Sequence, residues 1–309
     1  MDSPERVAYY NGKILPESQV RIPFRDSAAI RGIGVYDTER TFDGRIFRLQ
    51  DHLDRLWRSL AYVRIEPPIA KDELAAITEE VAARNLAIVG DDLWVSQRIS
   101  RGAPVDQGGE GRPTVIVECL PIPFAFRAEY YRSGVHLRTP TARRTPPWAL
   151  SPQAKTVNLL NLWVADQEVL SEDPRAWPLL TDEHGCLAEG AGANIFVVRD
   201  GAIATPPARH VLPGITRAVV IELAQELGIP LVETAVDLFA AATADEMFIT
   251  STSLCVCPAA SLNGAPVRHP DIPGPITRRL QEAFSHLVGI DVVEQYLSYL
   301  RIGAGAVRD

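Results

Sequence analysis

Residues 34–60, GVYDTERTFDGRIFRLQDHLDRLWRSL, carry the pattern that sets the fold class. The stretch opens as an extended run that reaches Phe42. Asp43-Gly44 is a hairpin signal, because both residues tolerate the positive φ that a two-residue turn demands. Arg45–Leu49 reads as the return strand. From about Gln50 to Val63 the period changes, with Leu53, Leu56, Trp57 and Leu60 recurring at i, i+3, i+4 and i+7 along one helical face. A hairpin running straight into an amphipathic helix predicts a sheet layer and a helix layer on one core, the α/β (α+β) class.

Toward the N-terminus, Val7–Tyr10 and the Asn11-Gly12 turn predict another hairpin. Beyond the first helix, a second is expected over Lys71–Asn85, and strands over Leu93–Ser100 and Thr114–Leu120. These elements make a small N-terminal α/β domain, residues 1–121. Pro121, Pro123 and the polar residues after them predict an interdomain linker at 122–133. The remainder, 134–309, forms the larger domain. It opens with a strand over Gly134–Pro140. The proline-broken loop TPPWALSP (145–152) leads into a helix expected over Lys155–Leu170. Strands and turns fill 178–206, and a helix spans Gly214–Leu227 with Gly228 as its stop. A strand at Leu231–Thr234, a short helix at Leu238–Ala242, a strand at Glu246–Thr250, a turn at Asn263-Gly264 and a helix at Pro275–Val288 follow. The apolar tail after Gly289 has no assigned role.

The chain has 309 residues and a formal net charge of -8. An acidic surface argues against nucleic acid or an anionic membrane as partner. Cys119, Cys186, Cys255 and Cys257 form no CxxC pair, so incidental thiols and no metal site are expected. The first residues lack an apolar signal region, and no apolar run approaches ~18 residues. A cytoplasmic location is the expectation.

Several residues have the chemistry of a site, each with an ordinary reading beside it. Lys155 opens an apolar helix after the proline-rich loop. Burial there would lower its pKa and favour imine formation; a solvated helix-start lysine is the alternative. In VLPGITR (211–217), Gly214, Ile215 and Thr216 offer unpaired amides at a helix N-terminus, which suits a phosphate, or they form a plain capped helix. Ser251, Thr252 and Ser253 make a hydroxyl-rich turn. Arg55 lies at the edge of the buried face of its helix, able to reach inward as a bidentate donor or to pair with Asp51 or Asp54. Glu189, set among glycines, could meet a planar ring or be a turn glutamate.

Six segments hold together in order and spacing: YYNGKILPESQVRIPFRD (9–26), GVYDTERTFDGRIFRLQDHLDRL (34–56), AKTVNLLN (154–161), AEGAGANIFVV (188–198), VLPGITR and DEMFITSTSLCVCP (245–258). The set resembles the class IV (fold type IV) aminotransferases that depend on pyridoxal 5'-phosphate (PLP). Branched-chain and D-amino-acid aminotransferases, (R)-amine transaminases and aminodeoxychorismate lyase belong to that family. The resemblance implies that Lys155 is the Schiff-base lysine and proton carrier, and that Glu189 contacts the pyridine nitrogen. It implies that Arg55, Gly214, Ile215, Thr216, Ser251 and Thr252 hold the phosphate, with Asn194 supporting the site. Tyr36 and Ser253 would line the substrate side. It further implies a C-terminal pseudo-barrel, a cofactor between the domains, and a homodimer that completes each site. An amino donor and an α-keto acid acceptor would react in turn.

The substrate class rests on which groups bind the α-carboxylate. Where branched-chain members carry Tyr-x-Arg, this chain has Trp94, Val95 and Ser96. SRGAPVDQ (100–107) lacks the Arg-x-His of D-amino-acid members, and Arg31 replaces a tyrosine. Thr38 fits the (R)-amine pattern and Arg40 departs from it. Arg98 shares a strand face with Trp94 and Ser96. Arg98 or Arg40 is therefore expected as a relocated carboxylate clamp, unless both pair with surface acids. The expectation is a D-amino-acid or (R)-amine transaminase. A branched-chain enzyme, a PLP lyase and a catalytically inert binding module are the alternatives.

Overall fold

In the computed structural model, which describes residues 5–107, 109 and 111–305, the chain divides into two units. One comprises Met1–Ile122 with Ala154–Leu159, the other Pro123–Gln153 with Leu160–Asp309.

The first unit is an antiparallel sheet under two helices. Its elements are β1 (Val7–Tyr10), β2 (Lys13–Pro16), α1 (Ser27–Arg31), β3 (Gly34–Phe42), β4 (Arg45–Ile46), α2 (Leu49–Val63), α3 (Lys71–Val89), β5 (Leu93–Ser100) and β6 (Thr114–Pro121). The strand order is β2-β1-β6-β5-β3-β4. Both expected hairpin turns have two consecutive positive φ angles, Asn11 45° with Gly12 96° and Asp43 50° with Gly44 72°. That conformation matches the right-handed twist of the flanking strands. Leu53, Leu56 and Leu60 of α2 and Leu74 and Val81 of α3 pack on Val35, Val95, Ile99, Val115 and Val117 of the sheet. Because strand side chains alternate, Val35, Asp37, Glu39 and Thr41 are fully buried while Tyr36 and Thr38 are half-buried on the opposite face.

The second unit is built on a closed sheet. Its elements are α4 (Phe124–Ser133), β7 (Val135–Arg138), α5 (Leu160–Glu172), β8 (Ala176–Thr181), β9 (Leu187–Gly190), β10 (Asn194–Arg199), β11 (Ala202–Thr205), α6 (Ile215–Glu226), β12 (Leu231–Glu233), α7 (Leu238–Ala242), β13 (Glu246–Ser251), β14 (Cys255–Leu262), β15 (Ala265–Pro266), α8 (Pro275–Val288) and α9 (Val292–Gly305). The path β10-β13-β14-β7-β8-β9 returns to β10 through the pairing of Glu189 with Asn194. Closure leaves these strands without open edges. Phe196 and Phe248 stack in its core with centroids 4.9 Å apart.

Two expectations need correction. Residues 122–133 hold the helix α4, whose Phe124, Ala128 and Tyr131 are buried at i, i+4 and i+7; the prolines precede the helix instead of preventing it. The helix expected from Lys155 begins at Leu160. Residues 155–157 are extended, because Lys155 O and Val157 N bond the main chain of β3. The unassigned tail contains α9.

Leu53 has no exposed surface. Leu53→Ala is expected to destabilise the first unit by about 2–5 kcal/mol through lost burial and a residual cavity. Urea unfolding should show a lower midpoint with an unchanged slope.

Candidate active site

Lys155 is placed by its backbone. Tyr36 N donates to Lys155 O and Val157 N to Gly34 O, both at 3.0 Å, and Thr156 bridges Val35. Lys155 N donates to Ser59 Oγ at 3.0 Å, and Ser59 Oγ donates on to Arg55 O at 2.9 Å. The amine, Nζ, lies 4.5 Å from the centroid of the Tyr36 ring. It makes no ion pair or hydrogen bond among the described residues. The other lysines differ: Lys13 is exposed on β2, and Lys71 pairs with Asp54 at 2.6 Å.

Tyr36 is the register partner of Arg98, as Thr38 is of Ser96 and Arg40 of Trp94. The Arg98 guanidinium stands 5.4 Å from the Tyr36 ring and is anchored by Glu118 at 2.6 Å. Thr38 Oγ1 and Ser96 Oγ are 2.8 Å apart. These residues line a polar strip on the face opposite the helices, with Trp94 half-buried beside them. Arg40 lies outside that strip. It is 2 % exposed, stacked 4.1 Å over Phe42, and bonded to Thr41 O at 3.1 Å near Asp92. Its head group therefore packs at the hairpin end. Arg31 ends α1 and is exposed.

Arg55 is buried and reaches inward. Its Nε and Nη2 grip Asp37 at 2.9 and 2.7 Å, and His52 Nδ1 meets the same carboxylate at 2.8 Å. Neither Asp51 nor Asp54 is its partner there. Burial works to raise the Asp37 carboxyl, but the charges and hydrogen bonds of Arg55 and His52 outweigh it and hold the group well below the usual range. Burial lowers His52 despite Asp37. Glu39, one pleat along, is pushed the other way. Burial and then the Asp37 charge raise it well above its ordinary 4.5, although Gln97 Nε2 donates to it.

In the second unit, Glu189 on β9 is 5 % exposed. Its Oε1 accepts from Arg144 Nε at 2.8 Å. Its Oε2 accepts from Leu212 N at 2.9 Å and from Asn194 Nδ2 at 3.4 Å. Asn194 Nδ2 also donates to Leu212 O at 3.0 Å, so the 211–214 turn is tied to the carboxylate. A Cβ on Gly214 would stand 2.2 Å from Asn194 Oδ1, so only glycine fits the turn. Gly214 caps α6 without a side-chain acceptor. The first amides of α6, Ile215 and Thr216 included, therefore lack intrahelical partners, and an anion is their natural acceptor. Glu189, Asn194 and Thr250 lie in one register row, and residues 251–253 follow it directly. There Leu254 N donates to Ser251 Oγ at 3.0 Å, with Ser253 Oγ 3.4 Å away.

Each unit carries groups that fit PLP: in the first an amine without an ionic partner among the described residues, in the second a carboxylate beside an arginine and an uncapped helix N-terminus. Residues 34–262 match the model of the family Amino-transferase class IV. A Methanocaldococcus jannaschii protein named "Putative branched-chain-amino-acid aminotransferase" is 33% identical over 90% of this chain and 95% of its own. The D-alanine aminotransferase of Staphylococcus haemolyticus is 27% identical over 91% and 97%. Among solved structures, a T.th. branched-chain amino acid aminotransferase with pyridoxamine 5'-phosphate superposes with a TM-score of 0.83 at 28% identity, covering 92% of this chain and 94% of that one. The chain belongs to the class IV aminotransferases, PLP-dependent transaminases of fold type IV. No helix among the described residues is long and apolar enough to cross a membrane.

Asp37, His52 and Arg144 escaped the reading of the sequence. Asp37 was within reach, since it alternates with Val35 toward the helices. Arg144 had no local signal.

Glu39 supplies a pH test. A carboxyl raised in the folded state lends its full stability below the unfolded value near 4.5, and that stability is lost as pH rises toward the folded value. Glu39→Gln, which keeps the acceptor for Gln97, should match the parent near pH 4 and grow progressively more stable than it toward neutrality. Urea titrations across that range measure the divergence; parallel curves would refute it.

Proposed function

We propose that this transaminase moves an amino group between a D-amino acid or (R)-configured primary amine and an α-keto acid. The observation that carries this reading is the Lys155–Tyr36–Arg98 stack on β3 and β5, combined with Trp94, Val95 and Ser96 where branched-chain members carry Tyr-x-Arg. Arg98 binds the α-carboxylate, and Tyr36 keeps it one ring-width from the lysine. PLP, when bound, supplies the aldehyde and the electron sink for the reaction. Lys155 takes the proton from the substrate carbon and returns it to the cofactor side, so its placement governs both transfers. Glu189, steadied by Arg144, would face the pyridine nitrogen and favour its protonated form. The Gly214–Ile215–Thr216 turn, with Ser251 and Thr252, would bind the phosphate, and Arg55 would be a further phosphate donor. Leu160, Trp163 and Val164 are exposed together on α5, a strip that supports a homodimer. The enzyme acts in the cytoplasm.

A branched-chain L-amino-acid enzyme is the second reading, favoured by the name of the M. jannaschii relative. Mixing the holoenzyme with single donors and no acceptor separates the two. Bleaching of the yellow band by D-alanine, D-glutamate or (R)-1-phenylethylamine is expected. Bleaching by L-leucine alone would give the second reading. Lys155→Ala should abolish turnover, and substantial residual activity would remove that lysine from its role. Arg98→Ala should raise KM for α-keto acids by about tenfold, the effect of one lost charged hydrogen bond of ~1.5 kcal/mol. An unchanged KM would discard the clamp.

A further inference from the structure

We propose that Asp182, Glu183 and His210 form a binding site for a divalent transition-metal ion of zinc-like chemistry, which clasps the loop before β9 to the turn before α6. The site is separate from the transaminase reading and does not depend on the identity of donor or acceptor. All three residues belong to the second unit. Asp182 and Glu183 open the loop 182–186 that joins β8 to β9. His210 ends the short helical turn Ala208–His210, which leads into the 211–214 turn. One carboxylate oxygen from each acid and one ring nitrogen of His210 lie within 4.8 Å of one another. Asp182 Oδ2 and His210 Nδ1 are 3.9 Å apart. A zinc ion holds nitrogen and oxygen donors at about 2.0–2.2 Å, so two such bonds span that gap.

The decisive atoms are Glu183 Oε2 and His210 Nδ1. Both are shut off from solvent, and neither has a hydrogen-bond partner among the described residues. Buried polar atoms are normally satisfied, and at 3.9 Å the imidazole makes no hydrogen bond to Asp182. A cation set between the three groups satisfies them together. Asp182 is already oriented for it. Its Oδ1 accepts from His184 N and Cys186 N, each at 2.9 Å, which fixes the carboxylate with Oδ2 toward His210. Arg143 donates to the main-chain carbonyls of Asp182 and Glu183 rather than to their carboxylates. One imidazole with two carboxylates suits zinc and its neighbours better than calcium or magnesium, which take oxygen ligands. The side chains of Glu183 and His210 keep exposures of 26% and 15%, so an ion has a way in from solvent. The other cluster of this kind, Asp37, Glu39 and His52, differs because Arg55 already grips Asp37, and a guanidinium there repels a metal ion. His210 stands two positions before Leu212, whose N–H donates to Glu189. A bound ion therefore steadies the turn that joins Glu189 to the start of α6.

The test is equilibrium dialysis of chelator-treated holoenzyme against zinc alone, with Asp182→Asn, His210→Gln and, as a control, His269→Ala beside the parent. Asparagine at 182 keeps the Oδ1 acceptor for the loop amides and removes the charge. The parent should bind one zinc ion per chain and melt at a higher temperature when loaded, because an ion bound only by the folded state stabilises it. Asp182→Asn and His210→Gln should each bind at least about tenfold more weakly and lose the thermal shift, while His269→Ala behaves as the parent. If one of the two site variants does not fold, the other decides. No binding by the parent at micromolar zinc would overturn the proposal. So would zinc held equally well by the parent and both site variants, since the ion then sits elsewhere, on the cofactor or at the surface. Neither result touches the transaminase reading, which the bleaching of the yellow band decides.

Discussion

Two main-chain hydrogen bonds between residues 155–157 and the start of β3 are the constraint on which the site depends. They take a segment that arrives from the second unit and lay it in the first. A lysine side chain has four rotatable bonds and samples a wide volume when its backbone is loose. Here the backbone is stitched to a central strand and to Ser59 of α2, so Nζ stays near the Tyr36 ring. The same helix carries His52 and Arg55 toward Asp37. One polar stripe on α2, beside the leucines that hold it on the sheet, thus organises both the lysine and the buried ion pair.

The second unit solves a similar problem with strand register. Pairing Glu189 with Asn194, and Asn194 with Thr250, brings three chain segments to one level of the closed sheet. Asn194 then links the acid to the turn before α6. Placing donors and acceptors before any ligand arrives avoids a reorganisation cost during reaction. Two buried ion pairs, Asp37 with Arg55 and Glu189 with Arg144, avoid the several kcal/mol that an unpaired buried charge costs.

Much of this was legible in the sequence, where a local pattern carried it. Asn-Gly and Asp-Gly dictate their turns because few residues accept positive φ. Leu53, Leu56 and Leu60 dictate α2 because their spacing follows the helical repeat. Lys155, Glu189 and Gly214–Thr216 stood out because each has a distinctive neighbourhood in the chain. The helix expected to begin at Lys155 failed for a non-local reason: β3 offers its backbone a better partner than the next turn of helix would. The prolines near 121–123 read as a linker, yet a proline before a helix leaves the helix intact.

Local order along the chain was enough to fix most element types, the turns and the apolar faces, because each depends on covalent geometry or on neighbours within about four positions; the candidate PLP residues were singled out by the resemblance of the ordered segments. Folding in three dimensions was needed to settle that Asp37 would claim Arg55, that Arg144 would meet Glu189 45 positions away, and that Tyr131 of α4 and Tyr296 of α9 would bond the main chain of residues 253–254. Those contacts join residues far apart in the chain, and which partners meet depends on register, sheet closure and helix packing.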